Sequence, residues 1–265
     1  HSDGLITQGV WLMVLFVLVS CLLSLPFDLY ATFRLEARFG FNRSSAATFF
    51  GDRLKGLLLG ALIGVPLLYA AIYLMGIGGA WWWLWVWALW LGFSLLMLWA
   101  FPKWIAPLFN KFEPLPEGRL KAQIEDLLAR TGFQSKGIFV MDDTLLKDMQ
   151  PDEVEAVLAH ELGHFKHRHI IKQMALTFAL GLAVLFVLNL LMKSPAFYLG
   201  LGVHYPSHAM ALLLFMLVLP VFAFPLSPLL SMMSRKNEFE ADRFAAETAS
   251  AQDLAAALTK LYRSN

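Results

Sequence analysis

Apolar residues gather into five runs without a clear two-sided pattern: Val10 to about Pro26, Leu57 to Leu74, Trp81 to Phe101, Met174 to Met192, and Ala209 to about Met233. Each approaches the roughly 20 residues with which a helix crosses a hydrocarbon slab, whereas a soluble core needs no such unbroken segments. The short, uncharged GIGGA at 76–80 predicts a tight turn between the second and third runs. Polar positions concentrate in 102–172. This region opens with the proline-rich FPKWIAPLFNKFEPLPEG, suited to a membrane surface, and continues with LKAQIEDLLARTGF, an amphipathic helix closed by Gly132. GIFVMDDTLL follows as a short β-like piece. A helix then begins at Pro151, with Asp152, Glu153 and Glu155 close to the positive end of its dipole. Nothing in the sequence breaks it before Ser194-Pro195. The expectation is one continuous helix of about 42 residues, about 60 Å long.

These elements predict an all-α integral membrane protein: a multi-span helical bundle with a small cytoplasmic α region that carries a short β element. Residues 1–101 hold spans one to three with a basic cytoplasmic loop at about 30–55. Residues 102–172 form the cytoplasmic region leading into the long helix, 173–233 hold spans four and five, and 234–265 form a cytoplasmic helical segment. Composition strengthens the membrane reading, since 58% of the 265 residues are hydrophobic and only 15% charged, with a mean hydropathy of +0.60. The formal net charge of +1 leaves no field that would draw nucleic acid. Its distribution is more telling. Arg34, Arg38, Arg43, Arg53, Lys55, Lys103, Lys111, Arg235, Lys236 and Arg243 all fall in the same alternate connections, which the positive-inside rule places in the cytoplasm. A single cysteine, Cys21, excludes an internal disulfide and a cysteine-based zinc cluster. Six tryptophans between Trp81 and Trp90 read as interfacial anchors and packing groups. The opening HSDGLITQ lacks a methionine and predicts a missing leader or first segment.

One stretch carries chemistry. His160, Glu161 and His164 spell HELGH, and positions four apart share a helix face, so both imidazoles can meet one metal while the glutamate faces a water beside it. Two histidines leave zinc one protein ligand short of a catalytic set. Glu238, in SRKNEFEAD just past the fifth run, is the best candidate for the third, because it lies at a depth similar to that of His164. Asp242, one turn on, shares its face and either orients a ligand histidine or donates a proton to the leaving amine. Glu240 points elsewhere and is the weaker choice. His167 and His169, among Lys166, Arg168 and Lys172, are expected in a basic juxtamembrane collar and not as ligands. The chemistry predicted is peptide hydrolysis with one Zn2+ and Glu161 as general base. A membrane-level site favours a hydrophobic or lipid-tethered substrate.

HELGH and NEFEAD together, with LEARFGFNRSSAATFFGDRLK at 35–55, IAPLFNKFEPLPEGRLK at 105–121 and DTLL at 143–146, resemble the Ste24 type of integral membrane zinc metalloproteases, the CAAX prenyl proteases. The resemblance implies zinc on His160, His164 and Glu238, with Glu161 as general base and Asp242 as a supporting residue or proton donor. It also implies membrane helices that surround a water-filled chamber, and substrates bearing a prenylated carboxyl-terminal CAAX motif. Three departures stand out. Five runs are marked against the family's seven spans, and GIFVMD runs straight into DTLL where the family places a substrate-aligning strand with an Asn-Ala-Tyr motif. The chain also stops at RSN, where the family carries His-Pro-Pro. The simplest expectation is that disordered or removed segments are missing from the sequence at these places. Two alternatives accompany this reading: a quality-control protease of the heat-shock HtpX type, and a non-catalytic membrane scaffold that retains a zinc site. Compact loops favour a bacterial inner membrane over the endoplasmic reticulum.

Overall fold

The structure is a computed structural model that describes residues 2–42, 44–109, 112–135, 137–141 and 149–264. Arg43, Lys111 and the DTLL segment therefore lie outside the described residues. Among the described residues, five continuous helical stretches, some joining more than one element, are long and apolar enough to cross a membrane: Gly4–Glu36, Ala46–Ile77, Gly79–Ile105, His169–Leu191 and His208–Thr248. They coincide with the five apolar runs, and the chain is an integral membrane protein. It divides into two compact units, His1–Phe93 with Phe178–Phe224, and Ser94–Thr177 with Pro225–Asn265.

In the first unit, α1 (Ser2–Tyr30) packs against α2 (Ala46–Ile77) and against α9 (His208–Ala223). Ser45 starts α2 by accepting the Thr48 backbone N–H at 3.1 Å, which satisfies one of the orphan donors of the first turn. Gly9 lets α1 and α9 approach closely, since a Cβ there would lie 2.8 Å from the Cβ of Ala209. Val10, Ile72 and Ala209 fill that contact. A larger core joins Met75, Trp82, Val86, Leu188, Tyr198, Ala211, Leu214 and Phe215. The tryptophan run at the start of α3 (Trp82–Ala100) is largely a packing device. Trp82 Nε1–H donates to Asn189 Oδ1 at 3.0 Å, Trp87 Nε1–H donates to the Phe178 carbonyl at 2.8 Å, and the Trp90 ring lies over Gly181, where no Cβ would fit. Outward faces carry Trp11, Leu22, Leu58 and Leu62, exposed as lipid-facing side chains are.

The second unit is built around α6 (Pro151–Lys166). It packs against α5 (Arg119–Thr131), α10 (Ser227–Thr248) and α11 (Ala251–Ser264). The core is Leu127, Ala156, Ala159, Ala245 and Leu254; three of these are alanines, which allow the helices to close on one another. Gly132 ends α5 in the left-handed conformation at φ 76°, as its place after the amphipathic run predicts. A capping box starts α6: the Gln150 side chain accepts from the backbone of Glu153, and the Gln150 N–H donates to Glu153 Oε2 at 2.7 Å. Upstream, Phe112–Pro114 (β1) pairs antiparallel with Phe139–Met141 (β2), Glu113 opposite Val140, which bears out the short β element.

One expectation is overturned. The long helix does not run unbroken from Pro151 to Ser194. It ends at Lys166, His167 caps it, Arg168 turns left-handed at φ 54°, and α7 (His169–Leu191) restarts with the Lys172 N–H bonded to the Arg168 carbonyl at 3.0 Å. No glycine or proline announces this break. The break is what lets His169 reach its tertiary partners.

Candidate metal centre

The first turn of the site comes from α6, which projects His160 and His164 from one face, as the four-residue spacing predicts. Glu238 and Asp242 come from one face of α10. The two helices meet at Gly163 and Ala241. A Cβ on Gly163 would lie 2.9 Å from the Ala241 Cα and 3.1 Å from its carbonyl oxygen, so only glycine permits this approach. Backbone proximity here is what brings the two sequence motifs together.

The result is a convergent donor set. His160 Nε2 and His164 Nε2 lie 3.1 Å apart, and Glu238 Oε2 is 3.4 Å from the first and 3.5 Å from the second. Ligand atoms held at about 2.0–2.2 Å around a tetrahedral zinc lie about 3.3–3.6 Å from one another. The two separations to Glu238 fall in that range and the one between the imidazoles just below it, and the chemistry fits a divalent ion: two imidazole nitrogens and a carboxylate oxygen crowd a single point, an arrangement favourable around a cation. The imidazoles are half-buried and Glu238 is exposed, so the site opens toward solvent. Asp242 Oδ1 accepts from His160 Nδ1 at 2.9 Å, which leaves the His160 Nε2 lone pair pointing into the set. Glu161, between the histidines, is exposed.

Two residues set aside by sequence pattern belong to this neighbourhood. His169 is not part of an exposed collar; it is 2% exposed, with Nδ1 3.0 Å from His164 Nδ1 and Nε2 3.0 Å from Glu240 Oε2. Glu240 stands outside the set of His160, His164 and Glu238, but its bond to His169 ties it to the histidines. The break at Arg168 explains both. On a straight helix, residues five apart lie about 140° around the axis, so His169 could not have faced His164. His167 is exposed and stacks its ring on His169 at 5.5 Å between centroids. The only sequence signal for the break was the polar cluster KHRH at the foot of an apolar run. Beside His164 lies a cavity of about 390 Å³, walled by Phe133, Phe165, Ile170 and Ile171 with Lys166 and Arg168.

Comparison with known proteins reaches the same ground. Residues 1–111 match a model described as the CAAX prenyl protease N-terminal region, five membrane helices, and residues 114–263 match that of peptidase family M48. The chain is 35% identical over 266 residues to a CAAX prenyl protease 1 homolog of Oryza sativa subsp. japonica, covering 91% of this chain and 63% of that protein. Its identity to the human CAAX prenyl protease 1 homolog is 29% over 323 residues, 98% of this chain and 68% of the relative. The chain thus spans less than two thirds of the length of the plant relative. A crystal structure of S. mikatae Ste24p superposes with a TM-score of 0.89 at 28% identity, over 97% of this chain and 69% of that one. With the second family match extending over more than half of the sequence and enclosing HELGH and NEFEAD, the chain belongs to peptidase family M48.

Proposed function

We propose that this protein is a membrane-embedded zinc metalloendopeptidase that cleaves hydrophobic or prenylated, CAAX-type peptides. The observation that carries the reading is the convergence of His160 Nε2, His164 Nε2 and Glu238 Oε2 at 3.1–3.5 Å. These three would hold one zinc ion, which when bound supplies Lewis acidity and makes a water acidic enough to be used near neutral pH. Glu161 is the proton carrier. It is an exposed carboxylate on the turn between the two histidines, placed to accept a proton from water and to hand it to a departing amine. Asp242 fixes the His160 ring through Nδ1. The apolar cavity beside His164 supports a substrate with bulky hydrophobic groups, and the names of the plant and human relatives support a prenylated one. The run of lysines and arginines supports a site on the cytoplasmic face.

The test is a pair of measurements on one variant. Glu161→Gln is expected to retain about one zinc per chain and to lose cleavage of a farnesylated CAAX peptide by at least a hundredfold. Retained cleavage would remove Glu161 from the mechanism. Cleavage of an unfolded membrane protein in preference to the farnesylated peptide would favour the quality-control alternative.

A further inference from the structure

We infer that His169 and Glu240 are positioning residues that lock His164 in the tautomer able to bind a metal. The inference rests on reading His160, His164 and Glu238 as the metal centre, and it concerns two residues which that reading does not use.

The proton assignments follow one from the next. A carboxylate only accepts, so at 3.0 Å from Glu240 Oε2 the Nε2 of His169 carries the hydrogen. A neutral imidazole has one N–H, which leaves a lone pair on His169 Nδ1. That lone pair faces His164 Nδ1 at 3.0 Å, a hydrogen-bonding separation for which His164 provides the hydrogen, whereas the 3.1 Å between the two Nε2 atoms is the gap that a shared ion would bridge. His164 then carries its proton on Nδ1 and presents a bare Nε2 to His160 and Glu238. Glu240 thus determines, through two rings, which nitrogen of His164 is free. His160 reaches the same end in one step, from Asp242 directly. Both anchoring carboxylates sit on α10, the helix that also carries Glu238.

The same atoms admit a competing use. His167, His169 and Glu240 offer donor atoms within 4.8 Å of one another, a geometry that could take a second ion. An ion on His169 Nε2 would displace its hydrogen to Nδ1, reverse the bond to His164 and leave a proton on His164 Nε2. Relay and second ion are therefore mutually exclusive with an intact first site.

Metal binding to the whole chain in detergent tests this, read by zinc competition with a chelating dye and by the visible spectrum of the cobalt-substituted protein. Glu240→Leu and His169→Leu are each expected to weaken zinc about 10–100-fold, the usual cost of losing an outer-sphere partner, and to alter the cobalt bands. Glu240→Gln, which keeps a carbonyl acceptor, should lose less. His169→Asn is the decisive background. Its amide oxygen can accept from His164 Nδ1–H without help from a carboxylate, so it should restore much of the affinity, and Glu240→Leu added to it should cost nothing further. Wild-type affinity in Glu240→Leu, an equal loss in the His169→Asn background, or a second zinc bound by the wild type and lost in Glu240→Leu would each overturn the relay alone. A wild-type chain that binds no zinc, or a His164→Leu variant that binds it unchanged, would remove the metal centre and the relay with it.

Discussion

A single missing methyl group decides whether the two halves of the candidate site can meet. An alanine inside a helix such as α6 would ordinarily be worth up to about 1 kcal/mol more than glycine in helix propensity. At position 163 the added Cβ would press on the Ala241 backbone at 2.9 Å, and backbone cannot swing aside as a flexible side chain can. Overpacking of this kind costs about 1–3 kcal/mol, so the clash outweighs the propensity gain. Gly163→Ala is expected to lower the melting temperature and to weaken zinc more than tenfold, because Glu238 moves off with α10; unchanged zinc affinity in a competition titration would show that the helices have slack. Arg168 presents the opposite case. It holds a left-handed conformation that costs a non-glycine residue about 1–2 kcal/mol. Arg168→Gly should therefore leave zinc affinity as it is and raise stability, measured by thermal unfolding in detergent.

Helix α6 is anchored at its start by charge as well as by backbone geometry. Glu153 Oε2 accepts from both the Gln150 N–H and the Lys260 ammonium, each at 2.7 Å, which ties α6 to α11. The Lys260 bond is the larger cause, the Gln150 bond the lesser, and together they hold the Glu153 carboxyl below its usual range against the opposing effect of desolvation. A lowered folded-state value means that the stabilisation is complete well above the ordinary carboxylate range, and is lost as pH falls through that value. Acid unfolding below about pH 5 should therefore be shallower in Lys260→Met than in the wild type. Much at this scale was legible in sequence. The HELGH face, the start of α6 at Pro151 and the close of α5 at Gly132 are local patterns, and local patterns survive folding. The break after Lys166 was not legible, since neither His167 nor Arg168 is a helix breaker by itself. The His169–Glu240 bond depends on that break and was hidden with it.

Across the molecule, long apolar segments made the membrane character plain, because about 20 residues without charge have few other uses. What composition could not specify is how such helices recognise one another in lipid, where burying apolar surface gives little advantage. Polar contacts and close-fitting small residues must do it. Trp82 and Asn189 are one such contact, both buried, and Gly181 beneath Trp90 is another. Asn189→Leu would strand the Trp82 indole N–H in an apolar setting. The expected cost is about 0.6–1.7 kcal/mol, the range for hydrogen bonds between membrane helices, read as a lower midpoint in detergent unfolding.

The bond between His160 and Asp242 joins positions 82 apart along the chain. Everything between them, including two apolar helices, has to be threaded and inserted before those side chains can meet. Closing so long a loop is an entropic burden that local helix formation does not carry, which puts assembly of the centre at the end of maturation. A newly made chain therefore lacks the assembled donor set until both of those helices are in place, however early its HELGH turn becomes helical.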